Sequence, residues 1–280
     1  MIINTAEEYK SQFSKIAGDV LVAYNQYKTG KRVLSGLGVK TPSCYATLGE
    51  FILKGFLSHV QSICTDVSKA YQGNTTQSFN YGCLEFKGLA LPNSISGYDT
   101  EKNRTDEFIV SEILSNFDYN TFVSELTRLA NGLEEKGKQA IAQELISAFK
   151  LSEKHYVNSV PKRTARHVSV DGTHHKSWGG YYHSDKESFH FLARNVKAVA
   201  DELEYPALAS AFYDLFEQIN TTDSDSLASG TTFGCKNTVL IKVFNGHIRY
   251  SFTPEMFSAI ITYIKIYAPE TQLCTIPQAA

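Results

Sequence analysis

Residues 238–252 constrain this chain more than any other stretch. "TVLIKVF" and "HIRYSF" flank Asn245-Gly246, the pair that a two-residue type I′ turn demands because both central positions need positive φ. The spacing predicts a β-hairpin. Thr253 then caps a helix that has Pro254 at its first position and Glu255 following, a start whose fixed φ and missing N–H suit the first turn. Phe257, Ile260, Ile261 and Ile264 share one face of that helix and pack it onto the hairpin, so a ββα unit ends the fold.

Helical periodicity dominates the first half. Over residues 6–28, Phe13, Ile16, Val20, Leu21, Tyr24 and Tyr27 recur at helical spacing, and the glycines of "KTGKRVLSGLG" are expected to end that helix. A second helix begins after Thr47, carries Phe51, Ile52, Phe56, Val60, Ile63, Cys64 and Val67, and closes near Gly73. "SFNYGCLEFKGLAL" alternates apolar and polar residues and predicts a strand or a short hairpin, followed by an exposed loop, "PNSISGYDTEKNRT". Helices are expected at 107–114, 121–133 and 134–150, and again at 191–219 with a break at Tyr205-Pro206. Between 154 and 190 the helical pattern disappears, leaving a short strand, "RHVSV", and a turn at Asp171-Gly172. "TTDSDSLASGTT" reads as a polar linker, and no repeat is present. The fold class is α+β: a largely helical region over 1–155, then an α+β region over 156–280 with its C-terminal hairpin packed by helices, either as two domains or as one continuous one.

Composition narrows the function. At 42% hydrophobic and 20% charged residues, the 280-residue chain is of ordinary globular type. Its net charge of −2 exerts no global pull on nucleic acid or on an anionic membrane, so a charged partner must be read from a local patch. Five scattered cysteines, Cys44, Cys64, Cys83, Cys235 and Cys274, form no C-x-x-C pair and are expected to be reduced and mostly buried. The N-terminus lacks a basic region followed by an apolar run, and no stretch is long and apolar enough for a bilayer; a cytoplasmic protein with no membrane partner is expected. The sequons at Asn74, Asn103 and Asn220 are then chance matches.

A strand ending in Phe244-Asn245-Gly246, a strand running from His247 to Phe252, and a helix initiated by Pro254 resemble the end of an uncharacterised domain of phage and plasmid proteins, often fused to an S-adenosylmethionine-dependent DNA methyltransferase. Helices in a similar order precede it. The resemblance implies a mobile-element context concerned with DNA modification, replication or evasion of host defence, and no catalytic residues. The chain departs from the fused members in having no Asp/Asn-Pro-Pro-Tyr loop and no glycine-rich turn for the methyl donor, so methyltransferase activity does not carry over.

"HVSVDGTHHKSWGGYYH", from His167 to His183, holds the densest chemistry. One reading is a metal site built from His167, Asp171, His174 and His183, with His175, His190 and Asp185 nearby, although the spacing matches no ligand template. A second reading is contact with nucleic acid or a protein. Lys162, Arg163, Arg166 and Lys176, with Lys154 upstream, place cations in the same segment as Trp178, Tyr181 and Tyr182, the cation-plus-aromatic combination of single-strand binders. A third takes "HVSV" as half of a two-histidine phosphodiesterase pair, for which "HIRY" at His247 lacks the hydroxyl residue. No P-loop or hydrolase motif appears, which leaves enzyme status open and implies no cofactor. The leading expectation is a non-enzymatic phage or plasmid accessory protein binding nucleic acid or a host DNA-processing or defence protein. The alternatives are a metal-dependent hydrolase or nuclease and a protein-interaction module, with a homo-oligomer left open.

Overall fold

A computed structural model of the chain describes residues 3–40, 46–96, 103–152, 161–172, 186–221, 229–244 and 247–274. The chain divides into two compact units, one of Met1–Gly73 and Gln77–Glu134, the other of Asn74–Thr76 and Glu135–Ala280. The division falls at 134/135, ahead of 155, because the helix that follows turns its apolar residues Ile141, Ala142, Leu145, Ile146 and Phe149 into the second core.

The first unit is helical: α1 (Ala6–Gly36), α2 (Leu48–Tyr71), α3 (Asp106–Asn116) and α4 (Tyr119–Asn131). Its core is built around Phe13, whose ring meets Phe56 edge-on at 4.6 Å and Phe117 at 4.5 Å between centroids, arrangements in which aromatic quadrupoles attract. Gly55 lets α1 and α2 close up, since a Cβ there would stand 3.2 Å from the Ile16 side chain. Thr5 and Thr47 each open a helix with a reciprocal capping box, to Glu8 and Glu50, which satisfies orphan N–H groups at the first turn.

Three expectations fail here. α1 does not end near residue 28; it runs through Gly30 to Gly36. The stop comes where Gly38 takes φ +77, with Gly38 N–H donating to the Ser35 carbonyl and Val39 N–H to the Leu34 carbonyl. That is a Schellman ending, which requires a left-handed residue; Gly30 inside the helix costs only about 1 kcal/mol. "SFNYGCLEFKGLAL" forms no strand either: it holds a short 3₁₀ turn at Tyr81–Cys83. The Asn80 side chain accepts from Gly82 N–H, and Phe79, Leu84, Phe86 and Leu89 drop onto the helical core. Alternation here serves a strap, because no described strand of this unit offers it a ladder. Ile95 in the following loop is buried, not exposed.

The second unit carries α5 (Leu133–Ala148), β1 (Lys162–Arg163), β2 (Val168–Gly172), α6 (Lys186–Glu202), α7 (Pro206–Asn220), β3 (Thr232–Gly234), β4 (Val239–Phe244), β5 (His247–Phe252) and α8 (Pro254–Tyr267). The strands form one antiparallel sheet in the order β1-β2-β5-β4-β3. Alternate residues Val168, Val170, Val239, Ile241, Val243, Ile248, Tyr250 and Phe252 are buried, and apolar residues of α5 to α8 complete that core, the period-2 pattern of a sheet packed on one face. The hairpin and helix of residues 238–267 are as expected: Phe244 pairs with His247, and the Thr253 side chain accepts from Met256 N–H. The turn residues Asn245-Gly246 lie outside the described residues. The break at Tyr205-Pro206 also stands, with Pro206 opening α7.

Asp171-Gly172 is strand, not turn: Asp171 pairs with Arg249 and Gly172 with Ile248. Gly172 is there because a Cβ would lie 2.5 Å from the Tyr250 ring, the close approach that glycine in a strand often marks. The cysteines also differ from expectation. Of the four described, Cys64 is buried, Cys274 is half-buried, and Cys83 and Cys235 are exposed; all four are free thiols. Cys44 lies outside the described residues. No described helix is long and apolar enough to cross a membrane.

Candidate partner-binding end of the sheet

β1 and β2 form a hairpin closed by its own backbone. Thr164 N–H donates to the His167 carbonyl at 2.8 Å, and His167 N–H returns a bond to the Thr164 hydroxyl at 3.0 Å. Ala165 and Arg166 are left at the tip, where Arg166 is exposed, as are Lys162 and Arg163 on β1.

One contact decides where that tip sits. His167 Nε2–H donates to the carbonyl of Lys236 at 2.6 Å. Lys236 belongs to the connection between β3 and β4, which is itself braced by Cys235 N–H to the Val239 carbonyl at 2.9 Å. The two turns therefore share one end of the sheet and bring Arg166 beside exposed Lys236. Among the described residues, Lys162, Arg163, Arg166 and Lys236 have no salt bridge, so their charge faces solvent. Glu255, in the first turn of α8, begins at this same end and is exposed.

The outer face of the sheet is polar and internally paired. Asp171 accepts from Arg249 Nε–H at 2.8 Å, the Arg249 guanidinium lies over the Phe244 ring at 5.0 Å, and Lys242 lies over the same ring at 5.3 Å. The Ser169 and Ser251 hydroxyls meet at 2.9 Å. Such cross-strand pairs fix register rather than offer free ligands.

The structure separates members of the other predicted sets. His167 and Asp171 are four residues apart along extended chain, roughly 13 Å at strand rise, and each already has a partner in Lys236 and Arg249. They do not converge on one ion. His190 lies on α6 with its ring 4.9 Å from that of Phe216. His174, His175, His183 and Asp185 lie outside the described residues, as do Lys154, Lys176, Trp178, Tyr181 and Tyr182. Among the described residues no group of three His, Cys, Asp or Glu side chains is placed to hold a metal. "HVSV" and "HIRY" sit on neighbouring antiparallel strands: His167 precedes Val168, which pairs with Phe252, while His247 starts β5 at the other end. Six residues of strand rise, roughly 20 Å, separate the two positions, so they cannot act as acid and base on one phosphate.

Sequence reasoning missed Lys236. Lys236 stands in an ordinary polar turn, and only the sheet order β1-β2-β5-β4-β3 carries it to the β1–β2 tip. Comparison with models of known protein families, with curated proteins and with solved structures returns no match.

Proposed function

We propose that this chain is a non-enzymatic accessory protein of a phage or plasmid that works in the cytoplasm by binding nucleic acid through the basic end of its sheet. The observation that carries the reading is the bond from His167 to the Lys236 carbonyl, which clusters Arg166 and Lys236 beside Lys162 and Arg163. Phosphate contacts need flexible cations held in register, and counterion release then supplies the affinity. The mobile-element context rests on the resemblance of the hairpin and the Pro254-initiated helix.

The test is a salt titration of binding to a labelled oligonucleotide. Each lost phosphate contact lowers the slope of log affinity against log salt by about 0.7 for single strands and about 0.9 for duplex. Arg163→Ala with Arg166→Ala should therefore flatten the slope by about 1.4 to 1.8. A slope unchanged by both substitutions removes the patch. A host DNA-processing or defence protein as partner would instead survive these substitutions and appear as a larger mass in solution.

A further inference from the structure

α1 is longer than the core it serves. Tyr24 is its last residue packed against the helical core, yet the helix continues to Gly36, about 18 Å further. Intrinsic preference does not hold that extension, since Thr29, Gly30 and Gly36 are poor helix formers and so short a helix is marginal in water by itself. The extension is also apolar where it is most exposed. Six of the ten large apolar side chains exposed among the described residues fall between 22 and 39. Apolar residues exposed singly are ordinary, but contiguous ones mark an interaction surface.

Helical periodicity places Ala23, Tyr27, Gly30, Val33, Leu34 and Leu37 on one side of the axis as a continuous stripe, with Val33 58% and Leu37 73% exposed. Lys28 and Arg32 lie on the opposite side, where Lys28 meets Asp106 at 3.7 Å. An anionic surface would have to meet the stripe and these cations at once, so the stripe calls for an apolar partner.

A second copy of the chain matches it in size and in charge. Laid antiparallel and crossing at Gly30, Ala23 of one copy meets Leu37 of the other, small against large, and Tyr27 meets Val33. A Cβ at Gly30 would touch nothing within 4 Å in its own chain, whereas a crossing helix approaches most closely over a glycine. Asp19, exposed at the N-terminal end of the stripe, has no salt bridge among the described residues, and neither has exposed Lys40 just past the other end. The antiparallel arrangement brings each Asp19 within reach of Lys40 of the other copy. A parallel one sets like charge against like at both ends.

We propose that two copies of this chain associate through this stripe as an antiparallel helix pair crossing at Gly30. One helix pair of this length buries less than the roughly 1,200 Å² below which protein contacts are transient, so the dimer forms and dissociates with concentration. The stripe lies wholly on the helical unit, and the pairing is independent of nucleic-acid binding at the sheet.

Sedimentation equilibrium of the full chain at low salt, without nucleic acid, should show a mass rising from one chain toward two as concentration increases. Val33→Asp, at an exposed position that leaves the core intact, places an unpaired carboxylate inside the pair and should raise the dissociation constant at least about tenfold. Asp19→Lys alone should weaken the dimer about two- to fivefold, and adding Lys40→Asp should restore it. A mass of one chain at every concentration, a dimer indifferent to Val33→Asp, or a charge swap that does not restore pairing overturns the proposal.

Discussion

The two units bury their cores by different means, and the difference separates what is local from what is long-range. In the helical unit, α1, α2, α3 and α4 all open on a side-chain cap, from Thr5, Thr47, Thr105 and Asp118, each accepting from an N–H three residues ahead. In the sheet unit, α7 opens at Tyr205 with no side-chain cap, and polar groups instead join distant parts of the chain. Lys138 pairs with Glu202 at 2.8 Å, Tyr267 donates to the same carboxylate, Asn195 donates to Glu144, and His167 reaches Lys236. The helical unit has remote links as well, such as His59 to Gln12 and Lys28 to Asp106, but its helix starts are set within three residues; in the sheet unit the link from His167 to Lys236 joins two turns and clusters their charges.

The largest test of that contrast is at the two aromatic centres. Phe13→Ala should cost the helical unit about 3–5 kcal/mol, and Phe252→Ala should cost the sheet unit a similar amount, since both rings are fully buried. Denaturant unfolding followed by circular dichroism checks both; a cost below about 1 kcal/mol at either site would show that ring not to be central. Next, Gly172→Ala should destabilise by about 1–3 kcal/mol, because the Tyr250 ring must move. Neutral behaviour would place Gly172 outside the strand. Removing a cap should cost less: Thr47→Ala by about 1 kcal/mol, read as a shift in the denaturation midpoint.

Acid response should be smaller still and should differ between the units. Lys138 and the Tyr267 hydroxyl hold the Glu202 carboxyl below its ordinary 4.5. A lowered pKa contributes stability above the ordinary value, and that contribution is lost as pH falls through the lowered one. Glu202→Gln should therefore remove part of the stability lost below about pH 4.5, an effect of about 1 kcal/mol for a half-buried pair still screened by solvent. Unfolding midpoints of parent and variant as pH falls test it, and parallel acid curves would contradict it. In the helical unit, Glu8 is lowered mainly by accepting hydrogen bonds from its cap Thr5, and Asp118, itself a cap, by accepting them from Thr121, so their contribution is local. The mildest probe is thiol labelling: burial pushes the Cys64 thiol up to about 12, so it should stay unmodified in the native protein while Cys83 and Cys235 react. Rapid labelling of Cys64 would mean that the α2 face opens readily.

Element types were largely legible wherever one signal was sufficient. The Thr47 cap, the Pro206 break and the hairpin with its Pro254 helix each announce themselves within a few residues, because capping, proline φ and turn geometry are short-range. Alternation misled at 78–91, where a strap on a helical core also buries every second residue or so. Gly172 misled for a related reason: glycine marks both turns and close approaches, and Tyr250 lies 78 positions further along the chain. At the candidate site, Lys162, Arg163 and Arg166 could be named from the sequence, but the convergence of His167 with Asp171 expected for a metal could not survive strand geometry.

By itself, then, the sequence determined the α+β class, the helix starts and the C-terminal ββα unit, since these follow from backbone preferences and periodicity over a turn or two. Only the tertiary structure decided that α5 belongs to the second core, that Asp171 pairs with Arg249, and that Arg166 and Lys236 stand together. Each of those depends on which strands become neighbours. Sheet order is set by the total burial that a whole arrangement achieves, a sum over distant residues that no local window contains.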